Sequence, residues 1–209
     1  MKFTIKHVWF DFSETIASIK KNVHDRLKYA VYAEVAGKKL TPELHTEYDN
    51  LYEKFHHSNS ALFHSLGLPA GFWSGRLNSV SPNELYELAD TSIPEILKQL
   101  KSIVPISIFS NIDLAGVLPS LGLPMDLFAH VISSSMFKNP KPALDGFYKI
   151  IELSELPPNE ILYIGDTISK DILPAKKVGL VTGLMWDKSD EADYCFETFK
   201  DILNIFNRS

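Results

Sequence analysis

The sequence of 209 residues predicts an α/β fold, with a Rossmann-like, doubly wound parallel sheet core and an inserted all-helical cap domain. Two observations predict it. Short hydrophobic runs alternate with amphipathic helical stretches over most of the chain, as parallel βαβ units require. Between the first and second runs, the segment 17–90 shows only helical periodicity. We therefore expect a core built from residues 1–16 and 91–209, and a helical cap built from residues 17–90.

The strands of the core are predicted from runs that are rich in hydrophobic, β-branched and aromatic residues. These runs cover residues 8–12, 105–109, 130–133, 161–164 and 180–184. Residues 194–196 are expected to add a short edge strand. From the second run onward the strands alternate with helical stretches, so the order favours parallel pairing.

The helices of the core are predicted from their end signals and their apolar spacing. Ser92 followed by Glu95 predicts a helix start with a capping box. The remaining core helices are expected directly after Asn111, over residues 144–153, over residues 172–178 with Gly179 at the end, and over residues 199–206.

The cap segment is predicted to contain four helices and no strand. Thr41 and Pro42 mark the clearest start, because proline is favoured at the first position of a helix. Amphipathic spacing predicts a helix before it, over residues 27–35, and another around residues 62–66. Ser81 and Pro82 begin the last one.

The composition is that of an ordinary soluble globular protein, with 45% hydrophobic and 22% charged residues. A net charge of -5 without a Lys/Arg-rich tract argues against nucleic acid as a partner. No run approaches the roughly 18 apolar residues that cross a bilayer, so no membrane association is expected. A single cysteine, Cys195, excludes an internal disulfide, and no signal-peptide pattern is present, so we expect a cytoplasmic protein. The sequence does not define the oligomeric state.

Carboxylates follow two of the predicted strands. Asp11 ends the first hydrophobic run, and Asp166 follows the run over residues 161–164, with Asp171 soon after it. A charge at the end of an apolar strand needs a partner or a metal ion. Ligands of open parallel sheets bind outside the carboxyl ends of the strands. The sequence therefore predicts a site for a hard cation and a phosphate at this edge of the sheet.

Four ordered motifs resemble those of the haloacid dehalogenase superfamily of phosphatases, dehalogenases and phosphotransferases, over essentially the whole chain. They are Asp11-Phe12-Ser13-Glu14-Thr15, Ile106-Ser107-Ile108-Phe109-Ser110-Asn111, Lys141-Pro142, and Gly165-Asp166-Thr167-Ile168-Ser169-Lys170-Asp171. The segment 17–90 resembles the smaller, all-helical cap class of that superfamily. Each motif is weak alone, but four in order at the usual separations are specific.

The resemblance implies a role for each matching residue. Asp11 would be the nucleophile that forms an aspartyl-phosphate, and Ser110 and Lys141 would bind the phosphoryl group. Lys141 is preferred over Lys138 because only Lys141 keeps the spacing of the superfamily to Pro142 and Phe147. A Mg²⁺ ion would bind Asp11, Asp166 and the backbone carbonyl of Ser13, while Asp171 would orient Asp166 or metal-bound water. The implied partner is a small phosphorylated substrate.

One position departs from the superfamily. Its phosphatases place a second aspartate two residues after the nucleophile as the general acid and base, and this chain has Ser13 there. A serine hydroxyl cannot do this work unaided, and general acid–base catalysis contributes about 10²–10⁴-fold. Glu14 also replaces the commoner glycine. Three readings follow: a slow phosphatase, a weakened member that binds a phosphorylated ligand or partner, and a phosphonatase- or dehalogenase-like hydrolase.

Other residues are candidates for substrate binding. Ser13 and Asn111 follow the first two motif strands, and Trp73 and Arg76 lie in a glycine-flanked stretch that suits a substrate-selecting loop. Trp73 fits the core of the cap equally well. His24 is the histidine closest to the start of the cap and could supply the missing acid.

Overall fold

A computed structural model describes residues 3–206. Its eight strands in chain order are β1 (His7–Phe10), β2 (Ala17–Ile19), β3 (Tyr86–Leu88), β4 (Ile106–Ser110), β5 (Val131–Ser133), β6 (Ile161–Gly165), β7 (Val181–Met185) and β8 (Tyr194–Phe196). Six of them form one parallel sheet in the order β5-β4-β1-β6-β7-β8. The predicted α/β class and all six predicted core strands are confirmed, with ends that differ by one or two residues.

The order of the strands fixes where a site can lie. The chain moves outward from the central β1 to β4 and β5, and then returns to the other side of β1 for β6, β7 and β8. Strand order therefore reverses beside β1, and ligands of doubly wound sheets bind at such a switch point. Both faces of the sheet are covered, since Val8 and Phe10 pack into one hydrophobic cluster and Trp9 into another.

The helices complete the fold. In chain order they are α1 (Lys21–Ala36), α2 (Pro42–Lys54), α3 (Asn59–Ser65), α4 (Phe72–Leu77), α5 (Pro82–Leu85), α6 (Ile93–Lys101), α7 (Val117–Ser120), α8 (Asp145–Ser154) and α9 (Leu173–Lys177). A 3-10 helix, Phe199–Ile205, stands where the closing helix was predicted. A π-helical turn, Ile168–Ile172, precedes α9.

The segment between β1 and α6, which we call the insert (residues 17–90), contains α1 to α5. The prediction that it holds no strand is wrong. β2 and β3 pair antiparallel at its two ends, with Ile19 opposite Tyr86. Each strand has three residues, too few for a period-two pattern to stand out from the helical signal around it. The ribbon forms because the chain enters and leaves the insert side by side, which lets the two backbones satisfy each other.

Two predicted helix starts also differ from the structure. Ser92 has helical backbone angles and its side chain caps nothing, while its N–H donates to Asp90 Oδ1 at 2.7 Å. The expected capping box is therefore absent. The helix predicted directly after Asn111 begins only at Val117, because residues 111–116 form a loop. Thr41 does cap α2, where its hydroxyl accepts from Leu44 N.

Within residues 3–206, no helix combines the length and the apolar character that crossing a bilayer requires. The longest, α1, has 16 residues, below the roughly 20 that span a hydrocarbon core. The cytoplasmic location stays a prediction.

Candidate active site

Three carboxylates converge at the carboxyl edge of the sheet. Asp11 directly follows β1, Asp166 directly follows β6, and Asp171 lies in the π-helical turn. Parallel pairing of β1 with β6 sets Phe10 beside Ile164, so the residues after them emerge together. One oxygen from each carboxylate lies within 4.8 Å of the others. The sequence prediction that these acids meet is confirmed.

Lys141 lies at the centre of this group. Its Nζ donates to Asp11 Oδ1 at 2.7 Å, to Asp171 Oδ1 at 2.8 Å and to the hydroxyl of Tyr163 at 2.8 Å. Its side chain has 0% exposure, which an ammonium tolerates only with charged partners. Lys138 is exposed. The structure therefore places Lys141, as predicted from spacing, beside the candidate nucleophile.

A second lysine, Lys170, was not assigned a role from the sequence. Its Nζ lies 3.5 Å from Asp11 Oδ2, 3.6 Å from Asp166 Oδ1 and 3.7 Å from Asp171 Oδ2. Burial works against its charge, but the three carboxylates hold the pKa of Lys170 well above its ordinary value. The sequence signal that could have identified Lys170 is its spacing, because a residue four positions after Asp166 lies on the same side of a helical turn.

Two carboxylate oxygens at this centre are buried and accept no hydrogen bond from residues 3–206. They are Asp11 Oδ2 and Asp166 Oδ1. Asp171 differs, because its Oδ1 accepts from Lys141 and Tyr163 and its Oδ2 from Thr167 N at 3.3 Å. Buried acceptors without donors are costly unless a ligand completes them. Oxygens from one or two carboxylates are also the protein ligands that Mg²⁺ prefers, so the donor set fits that ion.

Burial opposes ionisation here, but the lysines change the outcome for one carboxyl group. Burial alone would raise the pKa of Asp11, and the charges of Lys141 and Lys170 outweigh it and hold that pKa below its ordinary value. Burial raises the pKa of Asp166. Burial and the neighbouring charge of Asp11 raise the pKa of Asp171 to about 6. Asp11 is thus the carboxylate that the centre keeps ionised most firmly, as a nucleophile requires.

In the turn after β1, the side chains of Ser13 and Glu14 lie in different places. Ser13 lines a cavity beside Asp11, and Glu14 is absent from the described residues that line it. The carboxylate of Glu14 instead accepts from Ile19 N at 2.9 Å. Glu14 has a φ of 60°, a conformation that a glycine adopts at no steric cost, which explains why a glycine suits this position. The carboxylate of Glu14 is therefore held at the backbone of the insert rather than in this cavity.

Ser110 and Asn111 end β4 at the same edge. Ser110 lines the cavity, and its Oγ accepts from Ile112 N at 3.2 Å, which leaves the hydroxyl hydrogen free to donate. The helix N-terminus expected behind it is not there, since α7 begins at Val117. The amide of Asn111 binds Lys141 N at 2.8 Å and Ser58 Oγ at 3.0 Å. Asn111 lines the cavity but also joins the lysine segment to the insert.

The cavity has a volume of about 60 Å³ and lies between the core and the insert. Trp73, a predicted substrate-binding residue, lines it, although its ring is also buried against Phe63 and His24. Arg76 is not among the described residues that line it, because its guanidinium pairs with Glu34 on the surface. The structure thus brings Trp73 to the site and leaves Arg76 outside it. Spacing alone could not distinguish them, since both lie on the short helix α4.

Several residues of the site were not predicted. Tyr163 of β6 lies behind the cavity, where its hydroxyl accepts from Lys141, and the insert adds Tyr52, Ser58, Asn59 and Tyr86 to the lining. Their polar groups stand in stretches that read as ordinary helix or strand, so no local pattern singles them out. Only the long-range packing of the insert on the core assigns them to the site.

The fold and the site together define the class: a Rossmann-like α/β protein with a buried acidic and basic centre at the carboxyl edge of its parallel sheet. Residues 5–179 match the haloacid dehalogenase-like hydrolases. The chain belongs to this family, as the four motifs predicted.

Individual relatives include both phosphatases and dehalogenases. The chain is 33% identical over 85 residues to the glyceraldehyde 3-phosphate phosphatase of Methanocaldococcus jannaschii, a match that spans 37% of each protein. Its fold resembles a HAD phosphatase from Thermococcus onnurineus, with a TM-score of 0.70 and 20% identity over 97% of this chain and 98% of that one. It also resembles the 2-haloacid dehalogenase from Pseudomonas syringae pv. Tomato DC3000, with a TM-score of 0.65 and 19% identity over 98% and 99%. The fold alone therefore does not choose between the two reactions.

Proposed function

We propose that the protein is a Mg²⁺-dependent phosphatase that transfers the phosphoryl group of a small phosphorylated metabolite to Asp11 and then to water. The observation that carries the proposal is the pair of buried oxygens on Asp11 and Asp166 that accept no hydrogen bond, beside a buried lysine. A reaction on a halide needs no cation, so it would give these oxygens no ligand beyond their ion pair with Lys170. The relative from Methanocaldococcus jannaschii is named as a phosphatase of a small phosphate ester, which also favours a phosphatase over a dehalogenase.

The residues divide the work. Lys141 fixes the carboxylate of Asp11 through Oδ1 and offsets its charge, so that an anionic phosphate can approach. The Ser110 hydroxyl donates to a phosphoryl oxygen. Asp11, Asp166 and the carbonyl of Ser13 would hold the Mg²⁺ ion, and Asp171 keeps Lys141 in place. The bound ion supplies positive charge that neutralises the phosphoryl oxygens during transfer.

We further propose that the insert acts as a cap over this cavity. Its side chains form the wall opposite Asp11, and its two ends pair with each other in the β2–β3 ribbon where they join the core. A ribbon of three residues per strand is a narrow joint, so the insert can move relative to the sheet. Closure excludes water and strengthens the electrostatic interactions around the phosphate.

Ser13 makes this phosphatase slow. Neither Ser13 nor Glu14 can protonate the leaving group, because one is a weak acid and the other points to the backbone of Ile19. The same feature favours a second candidate, a protein that binds a phosphorylated ligand without useful turnover. A phosphonatase is disfavoured, because it needs a lysine from the cap, and the lysines among the described cavity residues, Lys141 and Lys170, both come from the core.

The test is hydrolysis of 4-nitrophenyl phosphate by the purified protein, with Mg²⁺ and with excess chelator. We expect Mg²⁺-dependent release of nitrophenol, and its loss in Asp11→Asn, which keeps the shape of the carboxyl group. Binding of a phosphate ester without any release would favour the second candidate. Full activity in chelator, or in the Asp11→Asn variant, would contradict the proposal.

A further inference from the structure

The cavity beside Asp11 has two walls of opposite character. The core wall carries the charged side chains of Asp11, Lys141 and Lys170, which already pair with one another or with neighbouring carboxylates. Among the described residues of the insert that line the cavity, none is Asp, Glu, Lys or Arg. The insert wall offers hydroxyl, amide, imidazole and aromatic groups instead. The part of a substrate that extends away from the phosphate therefore meets an uncharged surface.

A hydrogen-bonded chain holds the polar groups of that wall in one arrangement. The hydroxyl of Tyr48 donates to Asn59 Oδ1, which turns the amide nitrogen of Asn59 toward His24. Asn59 Nδ2 lies 3.1 Å from His24 Nε2. An amide nitrogen can only donate, so Nε2 of the imidazole accepts and its proton lies on Nδ1. No described residue accepts from that Nδ1–H, which leaves it free for a ligand.

His24 is uncharged at neutral pH. Burial lowers the pKa of its imidazole to about 4, and the nearby ammonium of Lys28 acts in the same direction. The ring also packs edge-on against Trp73, which keeps water from solvating a charge there. A carboxylate or second phosphate on the substrate would therefore lose its hydration without contacting a cation among the insert residues that line the cavity, and an ammonium would contact no carboxylate there.

The volume of the cavity limits the size of the substrate. A buried water needs about 10–15 Å³ of such space, so the cavity of about 60 Å³ holds roughly four to six groups of that size. A phosphoryl group takes most of them. The remainder leaves room for only a few further atoms, so a short alcohol fits the closed cavity better than a nucleoside does.

We propose that the substrate is a phosphate monoester of a short, uncharged alcohol that carries hydroxyl or carbonyl oxygens, and that His24 and Asn59 select it by donating hydrogen bonds to those oxygens. This inference rests on the proposed phosphatase function. It names a substrate class by the chemistry of the wall, since a neutral donor recognises a neutral acceptor and rejects groups that need a countercharge.

The first experiment compares kcat/KM for four esters in the presence of Mg²⁺: glycerol 1-phosphate, 3-phosphoglycerate, phosphoethanolamine and AMP. We expect glycerol 1-phosphate to exceed each of the others by at least about tenfold, the effect of one unpaired buried charge or one lost fit. An equal or faster reaction of a charged or large ester would overturn the proposal. Binding of the same esters to Asp11→Asn, measured by calorimetry, tests the selectivity without turnover. Failure of the proposed selectivity can be told apart from failure of the proposed phosphatase function, because 4-nitrophenyl phosphate reports the phosphatase function alone.

The second experiment adds a charge to the insert wall. Ile19 lines the cavity, is half-buried and contributes no side-chain hydrogen bond, so Ile19→Arg introduces a guanidinium while Ile19→Met is the matched neutral control. We expect Ile19→Arg to raise the ratio of kcat/KM for 3-phosphoglycerate to that for glycerol 1-phosphate by about tenfold, as one charge-assisted hydrogen bond allows. Ile19→Met should leave the ratio unchanged. His57→Arg, at the exposed rim, repeats the test if Ile19→Arg does not fold, and an unchanged ratio in the folded arginine variants would overturn the proposal.

The third experiment removes the donor. His24→Phe keeps a ring against Trp73 but has no N–H, so kcat/KM for glycerol 1-phosphate should fall more than that for 4-nitrophenyl phosphate, by about tenfold in the ratio. His24→Gln, which retains a donor, should restore part of that ratio. If His24 has a purely structural role, kcat/KM should fall equally for both substrates in both variants. That result would remove His24 from the proposal.

Discussion

Lys170 Nζ lies 3.5 Å from Asp11 Oδ2, an oxygen that accepts no hydrogen bond from residues 3–206. At this distance the ammonium offsets the carboxylate charge without completing its hydrogen bonding. The same nitrogen is 3.6 Å from Asp166 Oδ1, the other buried oxygen without a donor. Lys170 is therefore an internal cation beside the oxygens that would bind Mg²⁺, and its charge competes with that of the ion.

Lys170→Met should bind Mg²⁺ more tightly and be less stable in chelator. Removing the ammonium leaves three close carboxylates that repel each other, which destabilises the metal-free protein by on the order of 2 kcal/mol and favours any cation that replaces it. We expect the Kd for Mg²⁺ to fall by about tenfold. Calorimetric titration with Mg²⁺ and thermal unfolding with and without the ion measure both effects.

Lys177→Met is the matched control, because Lys177 is an exposed lysine of the neighbouring helix. It should change neither quantity. If Lys170→Met binds Mg²⁺ no more tightly than Lys177→Met does, Lys170 does not oppose the metal ion.

The sequence predicted the parallel sheet and its acidic edge because both are encoded locally. A buried parallel strand is a continuous apolar run, and an acid at its end shows in the same few residues, as at Asp11 and Asp166. Spacing to Pro142 is local too, and the lysine that it selected, Lys141, lies beside Asp11 while Lys138 is exposed. These features needed no knowledge of how distant segments pack.

The features that the sequence missed depend on long-range packing. Spacing alone does not distinguish Lys170 from the other lysines, because its position beside Asp11 results from the pairing of β1 with β6. The β2–β3 ribbon pairs residues 67 to 71 positions apart in the sequence, from Ile19 with Tyr86 to Ala17 with Leu88, so no local pattern reveals it. The role of Asn59 depends on Tyr48 and His24 in two other helices. Amphipathic periodicity predicts which face of a helix is buried, but it does not predict which residues that face packs against.

Gly165→Ala should abolish the arrangement around Lys141. A Cβ at position 165 would lie 2.5 Å from Asp171 Cβ and 2.6 Å from its Cγ, closer than carbon atoms can approach. Asp171 would have to move away from Lys141 and Tyr163, with a cost of about 1–3 kcal/mol in unfolding free energy and a large loss of activity. Gly116→Ala is the control, because a Cβ there has no atom within 4 Å. Equal activity of the two variants would show that Asp171 need not hold its place.

Acid should destabilise the protein partly through His7. Burial, with help from His130, lowers the pKa of the His7 imidazole to about 4 in the folded state, against about 6.5 when unfolded. At pH values between these two pKa values, the unfolded chain binds a proton at His7 and the folded chain does not. Stability contributed by the neutral ring is therefore complete above pH 6.5 and falls as the pH drops toward 4, by about 1 kcal/mol per pH unit.

Urea denaturation of the wild type and of His7→Gln at pH 7.5 and pH 5 measures this contribution. The wild type should lose more unfolding free energy between the two pH values than His7→Gln does, whatever their absolute stabilities. His56→Gln, at an exposed histidine, should keep the pH dependence of the wild type. The same loss in all three proteins would mean that His7 titrates normally.

Ser13→Asp should speed the hydrolysis of alkyl phosphates selectively. A nitrophenolate leaves without a proton, so the wild type should transfer the phosphoryl group of aryl phosphates with little impairment. An alkoxide must be protonated as it leaves, and neither Ser13 nor Glu14 can deliver that proton. Breakdown of the aspartyl-phosphate also lacks a base, so a burst of nitrophenol should precede a slow steady rate in the wild type.

In Ser13→Asp we expect kcat for alkyl phosphates to rise by up to roughly 10²–10⁴-fold and the nitrophenol burst to vanish, because the new carboxyl group serves first as acid and then as base. Rapid-quench kinetics on glycerol 1-phosphate and 4-nitrophenyl phosphate measure both effects. Ser79→Asp adds the same charge at an exposed position away from the cavity and should change neither. If the wild type already cleaves both esters equally fast and Ser13→Asp slows both, then another group is the acid. The residues of the insert that line the cavity would then be the place to find it.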